Sequence, residues 1–332
     1  MEPVRWGVIS TANIGVAKVL PGMMKSKQIK LLGIGSRDLK LAKKWAKKLG
    51  IPRAYGSYEE LLADPDIEAI YNPLPNHLHV PLTIAAVRAG KHVLCEKPIA
   101  MSAAEAEELR SLPQDRLVAE AFMVRHHPQW IEARKRVKAG QIGDVRAIQV
   151  MFSYFNTDPK NVRNMADIGG GGMLDIGCYP VVVSRFIFDA EPLRAFALIE
   201  RDPTFKTDRL ASCILDFGQG RRLDFTISTQ LVSQQRVEIM GTKGRIEVPI
   251  PFNAPQGKVT KIRLDKGAKL GGGSAKAITI KASDQYQLQG EAFGKAVRGV
   301  APLAYGVEDS IKQMRVIDAL FRSGESGRWE SV

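Results

Sequence analysis

Cysteine is scarce in this chain, and the few thiols present form no recognisable pattern. The 332 residues contain three scattered cysteines, Cys95, Cys178 and Cys213. An odd number without paired spacing excludes the usual zinc, redox and disulfide arrangements. We therefore expect reduced thiols and no metal site.

Long apolar runs are also lacking. No run approaches the roughly 18 residues that a membrane-spanning helix requires. The opening residues, MEPVRWGVIS, lead directly into a strand pattern and lack the apolar core and cleavage site of a signal peptide. We expect a cytoplasmic protein that has no membrane partner.

Acidic side chains are fewer than basic ones. The chain has 48 Lys and Arg against 35 Asp and Glu, a formal net charge of +13. Such an excess is compatible with nucleic-acid binding, but much of it lies in DLKLAKKWAKKLG, where lysines alternate with the apolar stripe Ala42, Trp45, Ala46 and Leu49. No helix-turn-helix or basic-aromatic pattern accompanies it. A solvated helix face is the preferred interpretation, and no nucleic-acid partner is expected.

The length favours two domains, because one core rarely organises more than about 250–300 residues. Residues 1–121 alternate short apolar strands with helical patterns, which is typical of a doubly wound parallel sheet. Capping boxes at Ser57 and Ser102 mark helix starts, and Gly90 marks a helix end. The five predicted strands are residues 4–10, 29–35, 67–72, 91–96 and 116–121.

The pattern changes in residues 122–332, where consecutive strands lack intervening helices. After a predicted helix at 128–138, strand patterns follow at RAIQVMFSYF, at LRAFALIER and through 209–249, with hairpin turns at GQG and GTKG. This indicates an α+β domain with a large, mostly antiparallel open sheet. The glycine-rich segment 266–277 is predicted to be a surface loop, and a last helix at 307–321 belongs to the core.

The first strand of the parallel sheet ends in a worn dinucleotide fingerprint. STANIG places Ser10, Ala12 and Gly15 where G-x-G-x-x-G has glycines. The positions stay small, and the amides of Thr11, Asn13, Ile14 and their neighbours at a helix N-terminus would attract phosphate. An ordinary tight turn explains this short motif equally well.

The second strand ends in GIGSRD, which bears on the choice of cofactor. Ser36 and Arg37 offer the donors that a 2′-phosphate needs, and Lys40 adds positive charge one turn later. NADP(H) is therefore preferred over NAD(H), which stays the alternative cofactor. In the competing interpretation Ser36 caps a helix, Arg37 lies on the surface, and Asp38 grips the ribose of NAD.

Three longer segments carry a family resemblance. YGSYEELLADPDIEAIY, PLPNHLHVPLTIAAVRAGKHVLCEKPIA and GGGGMLDIGCYP resemble, in order and spacing, the glucose–fructose oxidoreductase, inositol dehydrogenase and rhizopine catabolism family. The resemblance implies a Rossmann domain followed by an α+β domain. It also implies that the open sheet forms the interface of a homodimer or homotetramer.

The resemblance further implies a catalytic set of Lys97, Tyr179 and Asp175. The family often has histidine where this chain has Tyr179, so the chain resembles the tyrosine branch that contains dimeric dihydrodiol dehydrogenase and NADP-dependent xylose dehydrogenase. A phenol with a pKa of about 10 needs a positive neighbour to act as a base, and Lys97 is the candidate. Asp175 lies four residues before Tyr179 and would orient the substrate or Lys97. Pro180 must either start this helix or kink it.

Other positions resemble cofactor-lining or substrate-lining residues of the family. Glu96 precedes Lys97, and PLPNHLH supplies a segment expected to line the nicotinamide. His79 is either a structural hydrogen-bonding residue or a site residue. The expected set is Pro73, Leu74, Asn76, His77, Glu96, Arg125, His126 and Arg163.

The leading hypothesis is NADP-dependent oxidation of a sugar or cyclic polyol, or the reverse reduction, without a metal. One alternative is a nucleotide-sensing regulatory protein, since the fold binds dinucleotides without catalysis. Another is the nicotinamide-dependent glycosidase chemistry of the same family.

Overall fold

The computed structural model describes residues 2–332, which divide into two compact units. The first contains the residues up to 123 together with 285–314, and the second contains 124–284 together with 315–332. The first division point lies two residues beyond the boundary expected near 121. The sequence places all of residues 122–332 in the second domain, whereas the structure places 285–314 in the first unit.

The first unit is built on a parallel sheet in the order β3-β2-β1-β4-β5-β6. The sequence predicts five strands and misses β3, whose three residues are all half-buried and too few for a periodic pattern. The order reverses between β1 and β4, so these two strands flank the crevice where doubly wound sheets bind ligands. The strands are β1 (Val4–Ile9), β2 (Ile29–Gly35), β3 (Arg53–Tyr55), β4 (Ala69–Asn72), β5 (His92–Cys95) and β6 (Val118–Glu120).

The helices begin largely where the sequence places caps. Ser57 and Ser102 accept hydrogen bonds from the amides of Glu60 and Glu105, as predicted, although each glutamate bonds the amide before the serine. The helices are α1 (Leu20–Met23), α2 (Leu39–Leu49), α3 (Tyr58–Ala63), α4 (His79–Arg88), α5 (Ala103–Glu107), α6 (Pro128–Lys138), α7 (Cys178–Phe188), α8 (Gln285–Val297) and α9 (Val307–Ser326). Two π-helical segments, Gly15–Val19 and Met173–Gly177, precede α1 and α7, and 3-10 turns occur at Asn76–Leu78, Glu108–Ser111, Met123–His126, Val162–Asn164, Ala166–Ile168 and Leu270–Gly272.

Helix α8 completes the core of the first unit. Gly290 allows close contact, since a Cβ there would lie 2.7 Å from Ile29 Cδ1. The ring of Phe293 lies 5.5 Å from that of Trp6 on β1, and Arg298 forms an ion pair with Glu68 at 2.7 Å. These contacts explain why helix α8 and the residues just after it belong with the first sheet.

The second unit is built on a nine-stranded mixed sheet in the order β14-β13-β12-β11-β7-β10-β9-β8-β15. Only β7 and β10 pair in parallel among the strand pairs of this sheet, so the predicted antiparallel character is confirmed. The strands are β7 (Val145–Phe155), β8 (Arg194–Arg201), β9 (Asp208–Asp216), β10 (Arg222–Ser228), β11 (Gln230–Gly241), β12 (Gly244–Val248), β13 (Lys258–Asp265), β14 (Lys276–Ser283) and β15 (Glu330–Ser331).

One segment corrects the expectation that no stretch matches a membrane helix. Residues 166–188 are long enough and have a mean hydropathy of 1.2 over their best window, but 89% of that window is buried inside the protein. The segment ends in α7, all of whose residues are buried. Its apolar character is accounted for by packing in the core of the second unit.

Candidate active site

The turn after β1 has the geometry of a dinucleotide-binding turn. Ser10 has a φ of +81°, and its hydroxyl accepts a hydrogen bond from the Ala12 amide at 3.0 Å. At Gly15 a Cβ would lie 3.4 Å from Pro73 Cγ and 3.5 Å from Tyr71 Cε1. The small residue therefore lets the helix start approach β4. Of the other turn residues, Thr11 and Ala12 are half-buried, while Asn13 and Ile14 are exposed.

Asp38, which follows the end of β2, is engaged as a helix cap. Its carboxylate caps α2, accepting hydrogen bonds from the amides of Lys40 at 2.8 Å and Leu41 at 3.3 Å. Ser36 is buried and accepts from the Asp38 amide at 3.2 Å, so the interpretation of Ser36 as the cap of this helix is wrong. Arg37 and Lys40 are exposed beside it. This edge presents cationic and hydroxyl groups, with its acidic group already engaged.

Tyr58 at the start of α3 is a site residue that the sequence did not reveal. Burial raises the pKa of its phenol, and the nearby Arg37 opposes that rise through its charge and a hydrogen bond. Ser10, which also lies close to the phenol, acts in the same direction. The Tyr58 hydroxyl thus links the ends of β1 and β2, whereas the sequence identifies it only as part of a capping box.

The segment after β4 is held by buried polar contacts. The Leu74 amide donates to the Asn72 side chain at 3.3 Å, and Asn76 begins a 3-10 turn. His79 is fully buried, with its ring nitrogens 2.6 Å from the carbonyl oxygens of Pro98 and Leu74, and burial lowers its pKa to about 4. His79 therefore ties this segment to the loop after β5. In contrast, Nδ1 of His77 is buried without a hydrogen-bond partner among residues 2–332, as expected of a group that meets a ligand.

Lys97 follows directly after β5, at the carboxyl end of the sheet. Its amide donates to Glu96 at 3.3 Å, and the hydroxyl of Tyr71 donates to the other Glu96 oxygen at 2.7 Å. Burial and the adjacent Glu96 raise the pKa of Tyr71 well above its usual value, so this phenol stays a donor. The peptide bond from Lys97 to Pro98 is cis, and the Lys97 side chain is half-buried.

In the second unit, Asp175 is the centre of a polar cluster. It forms an ion pair with Arg163 at 2.8 Å and accepts a hydrogen bond from the Tyr154 hydroxyl at 2.7 Å. Asp175 raises the pKa of Arg163, and burial followed by Asp175 raises that of Tyr154. Both partners therefore keep their protons at neutral pH. The sequence did not predict Tyr154, because nothing in the strand pattern of β7 distinguishes it.

Tyr179 lies on the same continuous helix as Asp175, as expected from their spacing. Its side chain is 7% exposed and packs against Phe252 and Phe152, with ring centroids 5.2 and 5.9 Å away. Its charge interaction with Arg163 places the phenol near the Asp175 cluster. Pro180 neither starts nor breaks the helix, because it follows a wide π-helical turn in which its missing amide and bulky ring are more easily accommodated.

Arg125 and His126 occupy a 3-10 turn at the start of the second unit. Arg125 is 7% exposed, and burial together with Arg125 lowers the pKa of His126 to about 4. His126 is therefore neutral at physiological pH. No group of three or more potential ligands is arranged to hold a metal ion in the part of the chain that the structure describes.

A doubly wound parallel sheet whose first strand ends in a tight turn of small residues, together with a second unit built on a mixed open sheet, is typical of dinucleotide-binding proteins. A family model described as an oxidoreductase family with an NAD-binding Rossmann fold matches residues 4–124, and one for the GFO/IDH/MocA C-terminal domain matches residues 130–247. The chain belongs to the GFO/IDH/MocA family and is an NAD(P)-binding oxidoreductase.

Similar proteins include enzymes that act on sugars. The chain is 46% identical over its whole length to the uncharacterized oxidoreductase ORF334 of Rhizobium meliloti, which is also fully covered. It is 34% identical to D-xylose 1-dehydrogenase (NADP(+)) 2 of Haloferax volcanii, with 97% of this chain and 98% of the relative covered. The structure of KijD10, a 3-ketoreductase from Actinomadura kijaniata in complex with NADP and TDP-benzene, matches with a TM-score of 0.90 and 28% identity, covering 97% and 98% of the two chains.

Proposed function

We propose that this protein is an NADP(H)-dependent oxidoreductase that transfers hydride between the nicotinamide and a hydroxyl or carbonyl carbon of a sugar or cyclic polyol. Lys97 and Tyr179 are the proposed proton-transfer residues. The observation that carries the proposal is the placement of Lys97 at the carboxyl end of the dinucleotide-binding sheet, held by Glu96. The sugar-acting relatives favour this substrate class.

The residues at the end of β2 fit NADP better than NAD. Selection of NAD usually depends on a free carboxylate for the ribose hydroxyls, and here Asp38 is engaged as the cap of α2. Ser36, Arg37 and Lys40 would hold the 2′-phosphate, and the turn from Ser10 to Ile14 would hold the pyrophosphate. His77 and its neighbours Pro73, Leu74 and Asn76 would line the nicotinamide.

The chemical step requires a proton to move as the hydride moves. When bound, the nicotinamide supplies the hydride acceptor or donor. Tyr179 takes the proton from the substrate hydroxyl in oxidation and returns it in reduction. Lys97 provides the positive charge that favours the phenolate. Glu96 accepts a hydrogen bond from the Lys97 amide and so holds the backbone of this residue in place.

Asp175 takes a supporting role in this proposal. Because its carboxylate already binds Arg163 and Tyr154, it holds the Arg163 cation near Tyr179 rather than exchanging protons itself. Arg163 then adds to the charge that favours the phenolate and contacts the sugar. The roles of Arg163 and Arg125 in cofactor contact remain predictions from the family resemblance.

The test uses Lys97→Ala, Tyr179→Phe and the double variant. Each single variant should lower kcat by on the order of 10²–10⁴-fold, and the double variant should be no worse, because the two groups act in one step. NADPH affinity, measured by fluorescence titration, should change little. Lys47→Ala, in the last turn of α2, serves as the control for a change of lysine.

The substrate panel contains aldoses, anhydro sugars and diols with NADP, and the matching carbonyl compounds with NADPH. Full turnover in both single variants on any active substrate would refute the assignment. Cofactor that stays bound without net reduction would instead favour the glycosidase chemistry of the family, and binding without any turnover would favour a nucleotide sensor.

We further propose that the protein assembles as a homodimer or homotetramer through the open face of the nine-stranded sheet. Leu198 on β8 is 73% exposed and Ile214 on β9 is 37% exposed. Both line a depression of about 530 Å³ on this face, together with Phe196, Met151 and Thr226. Apolar side chains exposed together are typical of a surface that a partner covers.

A further inference from the structure

We propose that Asp208 is a positioning residue that fixes the start of the helix carrying Asp175 and Tyr179. The inference rests on the proposed catalytic role of that helix. Asp208 is the first residue of β9, and nothing in the sequence or the family resemblance singles it out. Asp208 is only 1% exposed, so exposure to solvent does not account for a carboxylate at this position.

The carboxylate of Asp208 replaces a missing helix cap. The helix begins at Met173, and Gly172 before it has no side chain with which to cap it. One Asp208 oxygen accepts a hydrogen bond from the Met173 amide at 2.5 Å, and the nearby Gly172 amide acts to lower the pKa of the carboxylate. A carboxylate at a helix N-terminus satisfies free amides and interacts favourably with the helix dipole. The cap comes from a strand of the sheet and therefore ties the helix to it.

The glycine run before the helix is shaped around this carboxylate. Gly171 has a φ of +118°, and a Cβ there would lie 2.0 Å from Asp208 Oδ1. At Gly172 a Cβ would lie 3.3 Å from Asp208 Oδ2 and 2.9 Å from Ile227 Cδ1. Both glycines therefore leave space for the Asp208 carboxylate.

The position of this cap matters because Asp175 and Tyr179 lie within two turns of Met173. A shift of the helix start moves both side chains together, and displacements of about 1 Å at reacting groups can cost on the order of 10²-fold in rate. Burial raises the pKa of Asp208 to about 7, against the lowering effect of the amides. The groups that interact electrostatically with it are Arg201 on β8, Tyr154 on β7 and Cys213 on β9, and Tyr154 in turn bonds Asp175.

The test compares Asp208→Asn with a matched control, Asp202→Asn. Asp202 is also buried, and it accepts from the amides of Thr204 and Phe205, but it does not contact the catalytic helix. Asp208→Asn should lower kcat on the best substrate by on the order of 10–100-fold and leave the Kd for NADPH unchanged. Protonation of Asp208 weakens the cap, so kcat of the wild type should fall below about pH 7. This fall should be absent from Asp208→Asn and retained in Asp202→Asn.

Equal kinetics in the two variants would overturn the inference, because Asp208 would then contribute only to stability. Gly171→Ala provides a second route, since its methyl group displaces the carboxylate without removing it. It should reproduce the loss of kcat if Asp208→Asn does not fold, and normal turnover in Gly171→Ala would contradict the inference. Tyr179→Phe, measured alongside, separates the two proposals: full turnover there would refute the catalytic helix itself, whatever Asp208 does.

Discussion

A single phenol connects the two strand ends that would hold the adenosine part of the cofactor. Arg37 and Ser10 both lie close to the Tyr58 hydroxyl, so this phenol restrains an arginine that is otherwise exposed. An arginine held in place loses less side-chain freedom when it binds phosphate. In the proposed complex, the 2′-phosphate contact would therefore depend on Tyr58 as well as on Ser36, Arg37 and Lys40, and the sequence reveals all of these except Tyr58.

Two variants test this arrangement. Arg37→Ala should weaken NADP binding strongly, because it removes a charge-assisted contact to the phosphate, and should leave NAD binding almost unchanged. Tyr58→Phe should weaken NADP binding by about 3–10-fold, the effect of one hydrogen bond of about 0.5–1.5 kcal/mol. Isothermal titration with both cofactors measures this, and unchanged NADP affinity in Arg37→Ala would refute the 2′-phosphate assignment.

At the scale of elements, some helices and strands are determined by local sequence signals and others by tertiary contacts. Capping serines predict α3 and α5, helical spacing predicts α6, and strand alternation with glycine turns predicts the hairpins, since all of these depend on neighbours in the chain. The pairing of α8 with β1 and β2 depends on contacts with residues nearly three hundred positions away, such as Phe293 with Trp6. No local pattern carries that information.

Two glycines of α8 test this packing. Gly290 faces Ile29 and Met23 closely, whereas a Cβ at Gly294 would meet only Val4, at an ordinary 3.6 Å. Gly290→Val should lower the free energy of unfolding by about 1–3 kcal/mol through overpacking. Gly294→Ala should raise it by up to about 1 kcal/mol, because alanine favours helix. Urea denaturation measures both, and equal effects would contradict the close contact.

At the scale of the whole molecule, the open sheet leaves an apolar surface that a single chain does not cover. The rows of paired residues across β8, β9 and β10 place Leu198 beside Ser212 and Thr226, and Phe196 beside Ile214 and Asp224. The mixture of apolar and polar groups is typical of protein interfaces. This surface has no role in the proposed chemistry.

Leu198→Glu tests the proposed assembly. A buried, unpaired carboxylate at an interface is strongly unfavourable, so the variant should have the solution mass of a monomer while the wild type has that of a dimer or tetramer. Val300→Glu, at an exposed position in the first unit, is the control and should keep the wild-type mass. Light scattering after size exclusion measures both, and a monomeric wild type would contradict the proposal.

The sequence by itself determined the parallel sheet and the mostly antiparallel one, most helix starts, the family and the candidate residues Lys97, Asp175 and Tyr179. These follow from periodicity, capping chemistry and motif order, which are properties of nearby residues. Only the tertiary structure decided that Asp38 is occupied as a cap, that Asp175 binds Arg163 and Tyr154, and that Asp208 caps the helix that contains Asp175 and Tyr179. A carboxylate has the same appearance in sequence whichever partner it binds, and its partner is chosen by the folding of distant segments onto one another.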